Sequence, residues 1–224
     1  MTIENIGNQL KGYTEKLVFS YADIASYKKV KNIIDINGKP LIAYTIEAGK
    51  QSKYIDDVVV TTDSEKIAEV SKKYGAEIPF MRPAEYAQDK SKTIDAVLHA
   101  IKELKKQGKV YDTLVLLQPT QPLRTSVDID KAIELYFEKS CMSLVSISDV
   151  DDHPLLIRTI DFDGILKPLL SQSSTCRRQD MPPFYRVNGC IYINKIEEID
   201  ENTSFNDNKL GFIMERSHSV DIDE

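Results

Sequence analysis

Residues 116–130 read LLQPTQPLRTSVDID, and this stretch decides the fold class. The apolar run that leads into it, residues 113–117, predicts a buried strand that ends at the first proline. Thr125 or Ser126 then offers a helix N-cap, with Asp128 in the first turn of the helix that follows. The stretch therefore predicts a strand, a polar loop and a helix start, in that order.

This order of elements is where open α/β sheets place their ligands, because helix amides and loop side chains converge there. The loop supplies four polar side chains that would hold a polar or anionic ligand: Gln118, Thr120, Gln121 and Arg124. The same residues are also compatible with an ordinary strand-to-helix turn capped by Thr125. The loop alone does not separate these two interpretations.

Composition narrows the class of protein. A chain of 224 residues suits one large α/β domain, and 42% hydrophobic with 29% charged residues is ordinary for a globular protein. The net charge of −6 argues against general nucleic-acid binding, which needs a basic face. No run reaches the roughly 18 apolar residues of a membrane span. The first sixteen residues also lack the apolar core of a signal peptide. We therefore expect neither nucleic acid nor a membrane as a partner.

The cysteines and histidines indicate a compartment but no metal centre. Three widely spaced cysteines form no CxxC pair: Cys141, Cys176 and Cys190. Free thiols in a reducing cytoplasm are the expected state, because three widely spaced cysteines without a CxxC pair favour neither disulfides nor zinc ligands. The three histidines are scattered, so the sequence supports neither a histidine metal cluster nor a Ser-His-Asp triad. A cytoplasmic location is the expectation.

Strand-like and helix-like patterns alternate along the first two thirds of the chain. The strands are predicted at 17–21, 58–62, 78–81, 113–118 and 142–147. The helices are predicted at 40–52, 64–74, 93–107 and 127–139. In the second helix, Ser64 is the expected N-cap and Gly75 the expected stop. Such alternation predicts an α/β fold with a mostly parallel sheet and helices on both faces.

The alternating pattern breaks at residues 149–186. This stretch is rich in proline, and its Asp163-Gly164 pair is a hairpin signal. We interpret it as an insertion within a single domain of residues 1–224, with residues 1–16 as an N-terminal extension. An arm with hairpin signals but little core-forming pattern usually packs on a partner. The sequence therefore predicts a symmetric homodimer with 149–186 as its dimerisation arm.

Five segments are informative when taken together. They read INGKPLIAYTIEA (36–48), a long segment from VVVTTDS onward (58–97), QPTQPLR (118–124), PFYRVNGCIYI (183–193) and SVDID (219–223). Together they resemble one enzyme family, the acylneuraminate cytidylyltransferases. These enzymes are CMP-sialic acid synthetases and their relatives for other nonulosonic acids. The likeness begins at about Lys31, and the motifs follow the family order. It implies a Rossmann-like nucleotidyltransferase sandwich that converts CTP and a nonulosonic acid into a CMP-sugar and pyrophosphate.

Two aspartates near the end of the resemblance are the candidate metal ligands. Asp221 and Asp223 flank Ile222, so an extended strand would project both carboxylates from one face. Paired carboxylates suit Mg²⁺, which bridges protein and substrate phosphate while keeping several waters. A solvated acidic segment would look the same in sequence. The resemblance implies the metal role, and it implies catalysis by Asp221 and Asp223 together with Lys31.

The resemblance also implies a set of substrate-binding residues. Arg82 would contact the cytosine, with Asp89 along the same nucleotide pocket, although an arginine before proline is often only a surface residue. Arg177 and Arg178 form a paired cationic site suited to a carboxylate or phosphate, or simply a basic turn. The full set of implied binding residues is Asn32, Arg82, Asp89, Gln118, Arg124, Arg178 and Asn188.

The sequence departs from the family in its phosphate loop. Residues 18–32 read VFSYADIASYKKVKN where relatives carry a pattern close to IPARxGSKGxPxKN, so only Lys31 and Asn32 survive. A loop that wraps phosphates with backbone amides needs glycine, because a Cβ obstructs the close approach. Lys28 and Lys29 keep the segment basic. The alternative function is therefore a degenerate homologue that binds nucleotide, sugar or a partner enzyme without turnover.

Overall fold

A computed structural model of the chain describes residues 31–88, 90–171 and 182–222, together with the backbone of residues 17–21. The described strands are β1 (Leu17–Tyr21), β2 (Asp35–Ile36), β3 (Lys39–Pro40), β4 (Asp57–Thr61), β5 (Thr113–Leu116), β6 (Ser143–Asp149), β7 (Arg158–Ile160), β8 (Leu166–Pro168), β9 (Tyr185–Lys195) and β10 (Leu210–Ile213). The described helices are α1 (Leu41–Gln51), α2 (Glu65–Lys73), α3 (Thr93–Lys106) and α4 (Ser126–Glu138). No helix in these ranges has the length and apolar character to cross a bilayer.

Six of these strands form one sheet in the order β10-β6-β9-β5-β1-β4. The long strand β9 is antiparallel to both of its neighbours, whereas β10 with β6, β5 with β1, and β1 with β4 pair in parallel. The sheet is therefore mixed. The mostly parallel sheet expected from the sequence is found only within two groups of strands, β10 with β6 on one side of β9 and β5, β1 and β4 on the other.

Helices cover both faces of this sheet, as the alternating pattern predicts. On β4, Val58 and Val60 form a buried cluster with residues of α1 and α2, among them Ile42. Between them, Val59 clusters with Leu104 of α3. Because successive side chains of a strand point to opposite faces, α1 and α2 lie on one face and α3 on the other.

Local sequence signals place the helix ends well. Ser64 caps α2 by accepting a hydrogen bond from the Ile67 amide, and Gly75 follows the helix end with a φ of +88°. The strand predicted at 78–81 is wrong. Only Glu77 pairs there, in an isolated bridge with Val59, and the next residue but one is Pro79. Proline has no amide hydrogen to donate, so the pairing stops before a strand forms.

The segment between β6 and β9 carries a separate two-stranded hairpin. Strands β7 and β8 pair antiparallel, and the Asp161 carboxylate accepts hydrogen bonds from the amides of Asp163 and Ile165. Gly164 takes a φ of +80°, which glycine adopts without a steric cost. This confirms the hairpin predicted from Asp163-Gly164.

Candidate active site

The loop between β5 and α4 is the centre of the candidate site. Thr125 is the N-cap of α4: its side chain accepts from the Asp128 amide at 3.3 Å. The Asp128 carboxylate returns the contact, accepting from the Thr125 amide at 2.9 Å and from its hydroxyl at 2.7 Å. This capping box fixes the exit of the loop and confirms Thr125, one of the two N-caps that the sequence predicts.

Two distant segments meet this loop. The Gln121 side chain donates to the Asn188 carbonyl at 2.8 Å, which brings the VNG motif of β9 against the loop. The Ile222 amide donates to the Thr120 carbonyl at 2.9 Å, which brings the SVDID segment alongside it. The three motifs that carry the family resemblance in the second half of the chain therefore lie together at the end of β5.

A bulge in β9 directs the VNG motif toward the loop. Val145 pairs with Tyr192 and Ile147 pairs with Val187, so a step of two residues on β6 corresponds to a step of five on β9. The extra residues include Gly189, whose φ is +77°. A Cβ on Gly189 would stand 2.7 Å from the side-chain oxygen of Gln118. A residue with a Cβ would therefore displace the Gln118 side chain, and the positive φ also favours glycine.

Arg124 is buried beneath the loop, with 2% of its surface exposed. Its guanidinium donates to the Cys190 carbonyl at 2.8 Å, the Gln118 carbonyl at 3.3 Å and the Thr45 hydroxyl at 2.7 Å. Burial lowers the pKa of Arg124 to about 10, which still leaves the side chain charged at neutral pH. The arginine thus joins the loop to β9 and α1.

Asn188 and Cys190 complete a buried polar network around the bulge. The Asn188 side-chain oxygen accepts from the Ser146 hydroxyl at 2.6 Å and from the Cys190 amide at 3.1 Å. The Cys190 thiol donates to the Gln121 side-chain oxygen at 3.1 Å, and burial raises its pKa to about 12. The thiol is therefore a hydrogen-bond donor that orients Gln121, not a nucleophile.

Two polar cavities open beside this network. One, of about 230 Å³, is lined by residues that include Asn188, Gly189 and the exposed Asp221. The other, of about 440 Å³, is lined by residues that include Lys92 and Gln118. Both cavities are lined by Tyr192 and Asn206, whose side chains are hydrogen-bonded at 2.9 Å, so the two cavities adjoin, and we call them together the groove. A third cavity of about 280 Å³, under α3, is mainly apolar and is lined by none of the sequence-predicted site residues.

The groove separates the sequence-predicted residues into three groups. Gln118, Asn188 and Asp221 line it. Arg124 lies behind its wall, and Lys31, Asn32 and Arg82 lie outside its lining. Asp89, Arg177, Arg178, Asp223 and the lysines of the altered loop, Lys28 and Lys29, fall outside the described residues.

Arg82 and Asn32 occupy buried positions near the ends of other elements. The Arg82 amide donates to the Thr62 carbonyl at 2.9 Å, and its guanidinium donates to the Thr61 carbonyl at 2.8 Å, at the carboxyl end of β4. Arg82 is 3% exposed, so it is not the surface residue that the sequence left open as an alternative. Asn32 is also 3% exposed and follows Lys31 in a short 3-10 turn.

Sequence reasoning missed several residues of the groove. Tyr192 follows the VNG motif on the same strand, so its proximity to Asn188 was an available signal. Asn206 has no local signal. It lies in a loop, residues 201–206, that lines the groove, and its side chain accepts a hydrogen bond from Tyr192 of β9. Thr45 joins the network from α1 in the same nonlocal way.

Comparison with known proteins gives this arrangement a family. The sequence model of the family described as Cytidylyltransferase matches residues 29–202. The chain belongs to the cytidylyltransferase family. A CMP-N,N'-diacetyllegionaminic acid synthase of Legionella pneumophila is 37% identical over 86% of this chain and 84% of its own length. An N-acylneuraminate cytidylyltransferase of Streptococcus agalactiae is 33% identical, and the chain covers 46% of that protein.

Solved structures agree with the fold of this cytidylyltransferase-family chain. The structure of a CMP:2-keto-3-deoxy-manno-octonic acid synthetase complexed with CTP matches with a TM-score of 0.64 at 14% identity, covering 89% of each chain. A 4-diphosphocytidyl-2C-methyl-D-erythritol synthase of Anaerococcus prevotii matches with a TM-score of 0.62 at 13% identity, covering 93% of this chain and 92% of the other. The chain therefore has the α/β nucleotidyltransferase fold.

The carboxylate at the groove is of the type that Mg²⁺ takes as a ligand. Among the described residues, no group of three or more His, Cys, Asp and Glu side chains is arranged to hold an ion. Mg²⁺ typically takes one or two carboxylates and fills its other positions with water and substrate phosphate. Asp221 at the rim of the groove can supply one such carboxylate.

Proposed function

We propose that this cytidylyltransferase-family chain is a cytoplasmic enzyme that activates a nonulosonic, sialic-type acid with CTP. The anomeric hydroxyl of the sugar attacks the α-phosphate of CTP, a new phosphate–oxygen bond forms to the sugar, and pyrophosphate leaves. The observation that carries the proposal is the meeting of the 118–125 loop, the VNG bulge and the SVDID segment around one polar groove. The relative from Legionella pneumophila, whose name specifies this type of sugar acid, supports it.

The larger part of the groove suits the sugar acid. Lys92 stands at the N-cap of α3, where a cation and the helix start both favour a carboxylate such as that of a nonulosonic acid. Beside the acidic Glu201 and apolar side chains such as Phe205, the lining offers amides and hydroxyls suited to sugar hydroxyls and acyl groups: Gln118, Tyr192, Asn202, Thr203, Ser204 and Asn206. Asn188 and Gln118 would contact the sugar and its reacting hydroxyl.

The nucleotide would be held by a second set of residues. We assign Lys31, Asn32, Arg82, Asp89 and Arg178 to CTP and its phosphates, following the family motifs. Arg124 is assigned a positioning role, because its guanidinium is committed to protein acceptors. Asp221 and Asp223 would hold Mg²⁺, which when bound offsets the negative charge of the phosphates. Most of the acceleration would then come from positioning the two substrates in line.

A second candidate is binding without turnover, and the altered segment 18–32 is the observation that favours it. Pyrophosphate release from CTP, measured with Mg²⁺ and a panel of nonulosonic acids, separates the two. The proposed enzyme releases pyrophosphate with at least one acid of the panel. Calorimetric binding of CTP or sugar with no release across the panel would favour the degenerate homologue.

Asp221→Asn tests the metal assignment within this function. The substitution keeps the shape of the side chain but removes the anionic oxygen, so we expect the Mg²⁺ concentration for half-maximal pyrophosphate release to rise about tenfold. Asp207→Asn, on the surface outside the groove lining, is the matched control and should leave that concentration unchanged. An unchanged Mg²⁺ dependence in Asp221→Asn would contradict the metal role.

The arm at 149–186 is proposed to hold the enzyme as a homodimer. The hairpin exposes a cross-strand pair, Ile160 at 69% and Leu166 at 62%, and Phe162 at its turn is fully exposed. Contiguous exposed apolar side chains of this kind mark a surface that binds another protein, and a second copy is the partner the insertion predicts.

Ile160→Asp combined with Leu166→Asp should convert a dimer into monomers, because two carboxylates would be buried at the interface without partners. Light scattering at micromolar concentration measures the mass directly. Thr159→Asp adds a charge to the same strand on its other face and should leave the dimer intact. A monomeric wild-type protein would rule out the dimer.

A further inference from the structure

His218 makes a side-chain contact that neither the motifs nor the proposed chemistry explains. Its Nδ1 lies 3.0 Å from one carboxylate oxygen of Asp128 and 3.2 Å from the other. Asp128 already serves the capping box of α4 and is only 10% exposed at its side chain. The histidine therefore joins the segment that carries Asp221 to the first turn of the helix behind the QPTQPLR loop.

The segment from His218 to Ile222 is held at both ends. At one end is the His218–Asp128 contact; at the other the Ile222 amide donates to the Thr120 carbonyl at 2.9 Å. Ser219, between them, is 3% exposed and donates to the Arg216 carbonyl at 3.2 Å. Asp221 lies one residue before the second anchor, at the rim of the groove beside Asn188. Two anchors this close in sequence limit where its carboxylate can lie.

We propose that His218 is a positioning residue that acts through Asp128 to hold the Asp221 carboxylate at the metal position of the groove. The inference rests on the proposed function for the identity of the metal, but the anchoring stands on the contacts. Nδ1 donates to the carboxylate in the neutral Nδ1–H tautomer and in the imidazolium, so the contact does not require protonation of the ring. When a residue that orients a metal ligand is removed, the metal affinity commonly falls by about 10–100-fold.

His218→Ala tests the proposal with two readouts. Hydrogen exchange of the Ile222 amide should become about tenfold faster, because losing one anchor raises the frequency of local opening. The dissociation constant of Mn²⁺, titrated in the presence of CTP and followed by the paramagnetic signal of the free ion, should rise about tenfold. The global unfolding midpoint should move little, since Asp128 keeps its hydrogen bonds to Thr125 in the capping box.

Two further variants separate positioning from a general loss of structure. His218→Asn places an N–H the same number of bonds from the backbone as Nδ1, so it should restore both the exchange rate and the Mn²⁺ affinity. Ser217→Ala changes the exposed neighbour and should leave both unchanged.

Each other outcome decides against the proposal or against the function it rests on. Unchanged exchange at Ile222 in His218→Ala would show that the contact is no anchor. Faster exchange with unchanged Mn²⁺ affinity would show an anchor that does not position the metal ligand. A wild-type protein without Mn²⁺ affinity would overturn the inference. Wild-type Mn²⁺ binding that is lost in His218→Ala, with no pyrophosphate release from CTP in the presence of any acid of the panel, would overturn only the proposed function.

Discussion

Replacing Arg124 with alanine should lower the free energy of unfolding by about 3 kcal/mol, the combined scale of a core cavity and stranded hydrogen-bond acceptors. The guanidinium is 2% exposed and bridges three segments through the carbonyls of Cys190 and Gln118 and the hydroxyl of Thr45. Alanine would leave these groups in a space that the truncated side chain cannot fill. Urea denaturation monitored by circular dichroism measures the loss.

Lys131→Ala is the matched control, because it removes an exposed cation from α4, the helix that follows the loop. We expect it to change the free energy of unfolding by less than about 0.5 kcal/mol, as is usual for surface substitutions. Arg124→Lys keeps the charge but not the planar fork, and should fall between the two. A loss below about 1 kcal/mol in Arg124→Ala would mean that water or relaxation replaces the bonds, and the bridging role would be wrong.

The burial of Arg124 shows why its role could not be derived from sequence. Its position in the QPTQPLR loop predicts a side chain available to a ligand, and the family resemblance points the same way. Its partners, however, are separated from it by 66 and 79 positions along the chain. Nothing in the local pattern indicates that strand β9 and helix α1 will close over the guanidinium.

Local signals, by contrast, predicted what local physics controls. Thr125 and Ser64 cap their helices because the N-cap bond joins residues only three apart, and the hairpin at Asp163-Gly164 forms because the turn itself favours it. Strand direction is a different matter. The apolar run of β9 looks the same whether its neighbours are parallel or antiparallel, so the mixed sheet could not be inferred from periodicity.

The candidate site was predictable as a set of motifs and not as a geometry. Gln118, Asn188 and Asp221 were identified from three separate segments, and the groove brings them together. Asn206 and His218 were not, because each acts through a contact made only after the sheet assembles. The family motifs therefore mark the lining of the site, while the residues that position the lining are scattered.

Gly189→Ala should reduce kcat/KM about 100-fold, because an approximately 1 Å misplacement of a substrate-positioning group can cost that much. The new Cβ would stand 2.7 Å from the Gln118 side-chain oxygen, so Gln118 must move out of its place in the groove. The φ of +77° adds a backbone cost of about 1–2 kcal/mol for any residue with a Cβ. Steady-state pyrophosphate release and urea denaturation report the two effects separately.

Gly108→Ala is the control that separates the effect of the Cβ contact with Gln118 from the cost of a positive φ in alanine. Gly108 has nearly the same φ, +78°, but a Cβ there would meet nothing within 4 Å, and it follows α3 at a distance from the motifs of the site. Both variants should therefore lose similar stability, and only Gly189→Ala should lose activity. Equal kcat/KM in the two variants would show that Gln118 can move without a loss of activity. The close packing of VNG on QPTQPLR would then stabilise the fold and have no role in activity.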